Sequence, residues 1–327
     1  MRIQTRSSLR LLLLVLVVTS LLAGTAGCSG GGKTKVTIFT GGTAGVYFPL
    51  GSKYAELLNK YSDGIDATAV TSGASVTNAK AIGTDECQAA LLQNDVSFYA
   101  SKGTNMFDAA IPQLQGIACL YPETIQFVVK ASSPIKSLQD MAGKNVAVGA
   151  PGSGTAVACE QILTAAGVWN SITRFDLNFA EAASAIKLGE VDAGFIVAGA
   201  PTPAIEELAV SEDVRIIEVP DAILSKLLSS GYSFYVRQVI PAGTYKMSAQ
   251  CSTVAVQAML CVRSTVPEDV AYDMTKILFT KLDELRSAHT KANEIKLEAA
   301  LNGMSLKLHP GAVKYYKEAG VTIPAGL

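Results

Sequence analysis

The strand-like run Val36 to Phe39 leads directly into Gly41-Gly42-Thr43-Ala44-Gly45-Val46-Tyr47-Phe48-Pro49-Leu50-Gly51-Ser52, and Leu50, Tyr54, Leu57 and Leu58 then recur at helical spacing. A strand, a loop of glycines and hydroxyls, and a helix that tolerates proline in its first turn make one α/β unit. Such a turn aims backbone N–H groups and the positive end of a helix at whatever fills the loop. The expected occupant is a small acidic molecule.

The pattern repeats. Ile65 to Val70 reads as a second strand, and Thr71-Ser72-Gly73-Ala74-Ser75 opens a second helix. Ala89 to Leu92 reads as a third strand that ends at Gln93-Asn94-Asp95. Farther on, Gly143-Lys144-Asn145 leads into the strand Val146 to Val148, the loop Gly149 to Thr155, and a helix with Ala158, Ile162, Ala165 and Ala166 on one face. Ala193 to Val197 is a further strand, ending in Ala198-Gly199-Ala200-Pro201-Thr202-Pro203. In an open parallel sheet these turns lie at the carboxyl ends of the strands, where ligands bind. Two long apolar segments, Ile117 to Lys130 and Thr253 to Arg263, read as strands running between two such units. The expectation is an α/β protein of two lobes, each a mostly parallel sheet flanked by helices, joined by two hinge strands around a cleft.

At the N-terminus, Arg2, Arg6 and Arg10 precede the 13-residue apolar stretch Leu11 to Ala23, and small residues continue to Cys28. This is the pattern of a signal peptide, too short for the roughly 20 apolar residues of a membrane span. Gly24-Thr25-Ala26-Gly27-Cys28 resembles a lipobox with Thr25 where leucine is usual. Two routes stay open: lipidation of Cys28, or cleavage after Ala26 to release a soluble protein. Both place the protein outside the cytoplasm, periplasmic or at the cell surface. The expected organisation is a signal peptide over 1–27 and a tether over 28–34. One lobe then comprises 35–125 with about 250–327, and the other about 126–250.

Without the signal, 300 residues remain, with 24 basic against 28 acidic side chains. A net charge of about −4 argues against a nucleic-acid partner. Besides Cys28 there are five cysteines, an odd number, and no CxxC pair, so most read as small buried hydrophobes. Two histidines, His289 and His309, lie away from the loops and read as structural or surface residues. A transition-metal site is therefore not expected, and neither is any cofactor. Gly149 to Thr155 lacks the lysine of a phosphate-binding P-loop, and the first loop lacks GxGxxG. Ser153 is not in GxSxG. These absences favour a binding protein over an enzyme.

Several loop residues have ordinary structural readings beside the functional one. Gly42 and Gly45 can serve a tight turn alone. Ser72 and Ser75 are common at helix starts, and Tyr47 suits a core as well as a ligand. Thr43 needs a partner for its hydroxyl, while Gln93 and Asp95 are polar immediately after an apolar strand. Ser153 and Thr155 stand in the second lobe's loop, and Thr202 is held between Pro201 and Pro203. No arginine falls in these loops, so a bound carboxylate is expected to rest on backbone N–H groups and the hydroxyls of Thr43, Ser72, Ser75, Ser153 and Thr155.

The ordered set GGTAGVYFPLG at 41, TSGASVTNA at 71, LLQNDVSFYA at 91, LYPETIQFVVK at 120, GAPGSGT at 149, VAGAPTPAI at 197, IPAGTYK at 240 and KLHPGAVKYYKEAG at 307 resembles the TAXI family of solute receptors, which serve TRAP-type sodium-coupled transporters. The resemblance implies a type II periplasmic-binding-protein fold, a small carboxylate such as glutamate, glutamine or 2-oxoglutarate as ligand, and delivery to a membrane permease. It places the pocket at Gly42, Thr43 and Tyr47; at Ser72, Gly73 and Ser75; at Gln93 and Asp95; at Ser153, Gly154 and Thr155; and at Pro201 and Thr202. Ala44, Phe48 and Ala74 depart from the residues usual in the family. The alternatives are an ABC-type receptor for an anion or vitamin precursor, and an enzyme on the same fold using Asp95 or Ser153.

Overall fold

A computed structural model describes residues 32–327. The expected signal segment and Cys28 lie outside the described residues. Thr34–Phe39 (β1), Ile65–Val70 (β2) and Ala89–Gln93 (β3) pair in parallel in the order β2-β1-β3, in register from Thr34 opposite Ile65 to Phe39 opposite Val70. Tyr47–Tyr61 (α1) and Ser75–Thr84 (α2) make the crossovers, and Asn94–Lys102 (α3) follows β3. Every residue of β3 is buried, as a central strand covered on both faces requires. α1 turns Leu50, Tyr54, Leu57 and Leu58 inward together with Tyr47, Gly51 and Ala55.

The 17-residue strand Leu114–Lys130 (β4) carries the chain into the second half. There Asn145–Ala147 (β5), Thr173–Phe175 (β6) and Ala193–Ala198 (β7) pair in parallel in the order β7-β5-β6, with Gly154–Ala165 (α4) and Phe179–Leu188 (α5) as crossovers. Pro203–Ser211 (α6), Val214–Ile217 (β8), Asp221–Ser229 (α7) and Val236–Ile240 (β9) follow. Cys251–Arg263 (β10) returns to the first half, where Glu268–Thr280 (α8), Leu282–Leu285 (α9) and Pro310–Glu318 (α10) complete the chain, α8 and α9 packing on α1. α8 and α10 approach so closely that a Cβ on Gly311 would stand 2.2 Å from the Glu268 carbonyl oxygen. His309 caps α10, its Nδ1 accepting the Gly311 N–H at 3.2 Å.

β4 and β10 run antiparallel and exchange neighbours midway. β10 pairs with β3 through Ala258 to Val262 and with β9 through Cys251 to Ala255. β4 pairs with β10 up to Thr124 and with β7 from Thr124 onward. The exchange falls beside Pro122, which has no N–H to give the ladder, and the register shifts between Gln257 and Met259. The freed Gln257 N–H is taken by Asn94 Oδ1 at 3.0 Å.

Three hydrophobic clusters cover the sheet faces. Cys87, Cys119, Cys159, Cys251 and Cys261 are all buried free thiols within them. Among the described residues no helix is long and apolar enough to cross a membrane.

α2 begins under backbone strain. Ala74, at its N-cap, has φ 67° and ψ −147°, a region that glycine occupies freely and that costs other residues about 1–3 kcal/mol. Ala74→Gly is expected to raise the melting temperature of the ligand-free protein by about 2 °C or more. A scanning-calorimetry trace showing a lower melting temperature for the glycine variant would remove the strain argument.

Candidate ligand-binding site

The carboxyl ends of the parallel strands in both halves face a shared cavity of about 480 Å³, within the range of small-molecule sites. The first half supplies the β1–α1 loop from Gly41 to Tyr47, the β2–α2 loop from Thr71 to Ser75, and Gln93 at the end of β3. The second supplies Ala150 and Ser153 to Thr155 before and in α4, Asn178 to Ala180 at the start of α5, and Val197 and Ala198 of β7. Glu123, from the stretch of β4 where partners change, completes the wall.

Four helices, α1, α2, α4 and α5, present their N-terminal residues to this space. Helix starts leave backbone N–H groups without intrahelical partners and carry partial positive charge. In α4 the third of these N–H groups, that of Ala156, is taken by Ser153 Oγ at 3.1 Å. In α5 the capping box of Asn178 and Glu181 takes the Glu181 N–H. Among the described residues no lysine, arginine or histidine lines the cavity, so its positive character there comes from peptide dipoles.

Of the residues expected from the sequence, the cavity wall takes in Gly42, Thr43, Tyr47, Ser72, Gly73, Ser75, Gln93, Ser153, Gly154 and Thr155. Their hydroxyls are not equivalent. Ser72 Oγ accepts the Ala74 N–H and bonds Asn78 Oδ1 at 2.6 Å. Ser75 Oγ accepts the Gln93 N–H at 3.1 Å, tying the start of α2 to the end of β3. Ser153 Oγ donates to the Ala150 carbonyl at 2.6 Å while capping α4. These three hold the loops in shape. Thr43 and Thr155, from opposite halves, spend no side-chain hydrogen bond on the described residues.

Three expected residues stand outside the wall. Asp95, second residue of α3, is fully buried, and neither carboxyl oxygen has a hydrogen-bond partner among the described residues. Thr202 is also fully buried: its Oγ1 donates to the Gly199 carbonyl and accepts from Gln126 Nε2, both at 2.9 Å, and its N–H goes to Tyr245 Oη. These bonds brace the β7–α6 loop, with Pro201, from behind, so that Val197 and Ala198 face the cavity instead.

Glu123 is a wall residue outside the expected set, because it lies inside an apolar strand. Its signal was there: one carboxylate, preceded by proline, in a run otherwise suited to a buried strand, where a charge needs a reason. It is 2% exposed, and Oε2 accepts the Tyr47 hydroxyl at 2.7 Å. Burial pushes its pKa from 4.5 up to about 8, offset in part by the Tyr47 hydrogen bond, raised further by Asp95 and lowered by contact with Gln93. Burial likewise lifts Asp95 from 3.8 to about 7, against some relief from the nearby Val96 and Asp95 N–H groups, which do not reach hydrogen-bond geometry. Among the described residues no cluster of three His, Cys, Asp or Glu side chains could hold a metal ion.

The halves touch around the cavity. The Gly152 carbonyl accepts N–H bonds from Val76 and Thr77 of α2, both at 3.1 Å, and the Ala204 N–H of α6 donates to the Ala44 carbonyl at 3.1 Å. Gly154 lies so close to Gln93 that an added Cβ would stand 2.0 Å from Oε1. Phe179 packs on Gly45, where a Cβ would meet its ring at 3.4 Å.

The two buried carboxyls contribute to the pH dependence of stability. Both hold protons in the fold at pH values where the unfolded chain, near 3.8 for Asp95 and 4.5 for Glu123, has lost them. Their contribution is complete below those values and is lost as pH rises through about 7 and about 8. Asp95→Asn, neutral throughout, is expected to flatten the fall in melting temperature from pH 5 to pH 8 and to exceed the wild type at pH 8. Unfolding curves in which this variant is the less stable at pH 8 would contradict the assignment.

The fold is shared with proteins of known structure. The chain is similar to PhnD1 from Prochlorococcus marinus, crystallised with methylphosphonate (TM-score 0.53, 12% identity, 88% of this chain and 97% of that one). It is similar also to the periplasmic aliphatic sulphonate binding protein SsuA from Escherichia coli (0.50, 16%, 88% and 84%) and to a putative L-cystine ABC transporter protein from Listeria monocytogenes (0.50, 14%, 80% and 98%). The likeness establishes a periplasmic-binding-protein-like α/β fold with a curled sheet flanked by helices. A family model spans residues 38–320, which contain both halves and every loop of the cavity. The chain belongs to the NMT1-like family.

Proposed function

We propose that the protein is an extracytoplasmic solute-binding receptor, which captures a small carboxylate by closure of its two halves and delivers it to a membrane permease. The observation that carries this reading is the convergence of four helix N-termini, from both halves, on one cavity with no basic side chain among the described residues. Such a site attracts an anionic group yet holds it through N–H dipoles and hydroxyls, which suits reversible capture. Micromolar affinity requires only about 8 kcal/mol net. Thr43 and Thr155, one from each half, are with Thr71 the wall hydroxyls that make no hydrogen bond to the described residues, and the pair is the one that spans the cleft.

The motifs that resemble the TAXI family carry the finer reading, a TRAP-type permease as partner and glutamate, glutamine or 2-oxoglutarate as solute. A second reading, an ABC-type receptor for a small anion, is favoured by fold likeness to the sulphonate-binding and methylphosphonate-bound proteins. Retention of the solute-loaded protein by one type of permease in membrane vesicles separates the two. Neither reading involves chemical conversion of the solute. Lipid on Cys28 or cleavage after Ala26 would leave the receptor facing the outside of the membrane.

β4 and β10, passing once each between the halves, are the natural hinge. The Gly152 carbonyl bonds to α2 then act as a latch made on closure. Thr43→Ala combined with Thr155→Ala is expected to weaken binding of the best solute at least tenfold by calorimetric titration. Undiminished affinity in that double variant would move the ligand elsewhere. Gly154→Ala places a methyl against Gln93, and solution scattering is expected to show the solute-induced decrease in radius of gyration for wild type and not for the variant. An equal decrease in both would exclude closure at this contact.

A further inference from the structure

A second set of contacts joins the halves away from the cavity. Between α7 and β9 the chain runs through Tyr232-Ser233-Phe234-Tyr235. Tyr235 is buried in the cluster of the second half with Ile223 and Leu227, so this strap travels with that half. Its rings nevertheless rest on α3 of the first half: the Phe234 centroid stands 5.2 Å from that of Phe98 and 6.2 Å from that of Tyr99. Gln161 of α4 completes the join, its Nε2 donating to Tyr99 Oη at 3.4 Å while its Oε1 accepts the Tyr235 hydroxyl at 2.7 Å. Phe98, Tyr99, Gln161, Phe234 and Tyr235 all stand outside the wall of the solute cavity.

Asp95 lies at this join, one helical turn before Tyr99 on α3. It is fully buried, and both of its oxygens lack a hydrogen-bond partner among the described residues. The ionisable groups that share its surroundings are Tyr99 of its own helix, Tyr235 of the strap and Glu123 of β4, with Tyr232 and Cys159 beside Tyr235. All of these are acids, so none offsets a negative charge. A carboxylate in such a place is far costlier than the neutral acid. The strap and Gln161 belong to the second half, so parting of the halves about β4 and β10 draws Phe234 and Tyr235 off α3 and lets water reach Asp95.

Building on the receptor reading above, we propose that closure of the halves takes up a proton at Asp95: the closed form holds the neutral acid under the strap, and the open form gives the proton to water. The proton then acts as a second ligand of the closed form, beside the solute. The sign follows from burial. A carboxyl raised from 3.8 in water to about 7 in the closed form favours closure fully below 3.8, and that contribution is lost as pH rises through about 7. Across this interval each pH unit lowers the closure constant by up to about tenfold.

Small-angle scattering of the solute-free protein at pH 5 and pH 8 tests the link without any ligand. The wild type is expected to have the larger radius of gyration at pH 8, Asp95→Asn to keep its pH 5 value at pH 8, and Glu123→Gln to retain the change, with melting temperatures used to verify that each variant is folded. A wild-type radius independent of pH, an equal change in folded Asp95→Asn, or loss of the change in folded Glu123→Gln would overturn the assignment. The wild-type and Glu123→Gln results decide the matter even if Asp95→Asn fails to fold. Calorimetric titration with L-glutamate, L-glutamine and 2-oxoglutarate gives a second readout: whichever binds is expected to bind at least about tenfold more weakly at pH 7 than at pH 5, a fall that Asp95→Asn largely removes. Solute carboxyls, mostly ionised by pH 5, would move affinity the opposite way. Equal wild-type affinity at the two pH values would also overturn the proton link. Binding of none of the three solutes would count against the carboxylate-receptor reading, while scattering would still decide the role of Asp95.

Discussion

Everything at the cavity depends on how β4 and β10 pair. As two antiparallel strands they can be long, 17 and 13 residues, and so can belong to both halves at once. At Thr124 and Ala255 each gives up one neighbour and takes another, and the sheet turns from its first parallel set to its second. The carboxyl ends of both sets thereby face one another across the strands that join them. Glu123, next to the exchange, reaches the space between, and Pro122 makes the exchange cheap because it has no N–H to leave unpaired.

The same arrangement decides how charge is handled. Among the described residues basic side chains are absent from the wall, and helix starts provide the positive field. Peptide N–H groups cost no side-chain entropy to hold in place and keep their direction when the halves part. The serines that sequence reasoning assigned to the ligand are what keep those N–H groups oriented: Ser153 caps α4 while bonding the Ala150 carbonyl, Ser75 joins α2 to β3, and Ser72 links its loop to Asn78. A hydroxyl bonded into the interior is a support; Thr43 and Thr155 carry no such bond to the described residues.

Much of the site was legible in the order of residues. Gly41 to Tyr47, Thr71 to Ser75 and Ser153 to Thr155 each follow an apolar strand and open a helix, and that grammar alone brings them to the carboxyl edge of a parallel sheet. Gln93 belongs with them because it ends β3 facing the cavity. Asp95 and Thr202 show where the grammar stops. Each is polar and near a strand end, yet Asp95 is enclosed at the start of α3 and Thr202 is tied to Gln126, Gly199 and Tyr245. Local sequence carries no record of partners that stand 43 or 76 positions away.

Alternating apolar strands and loop-opened helices determined by themselves that this chain forms parallel α/β units, because strand and helix periodicities and turn chemistry are local properties. The two long apolar segments further implied that two such units are joined twice. Only the tertiary structure decided which polar atoms are spent and which are free, that Glu123 faces the cavity, and that Gly152 and Gly154 meet α2 and Gln93 across it. Those outcomes rest on long-range pairing of β4 with β10 and on close packing between halves, where a single Cβ or one missing N–H changes what fits, and neither is encoded in the spacing of neighbouring residues.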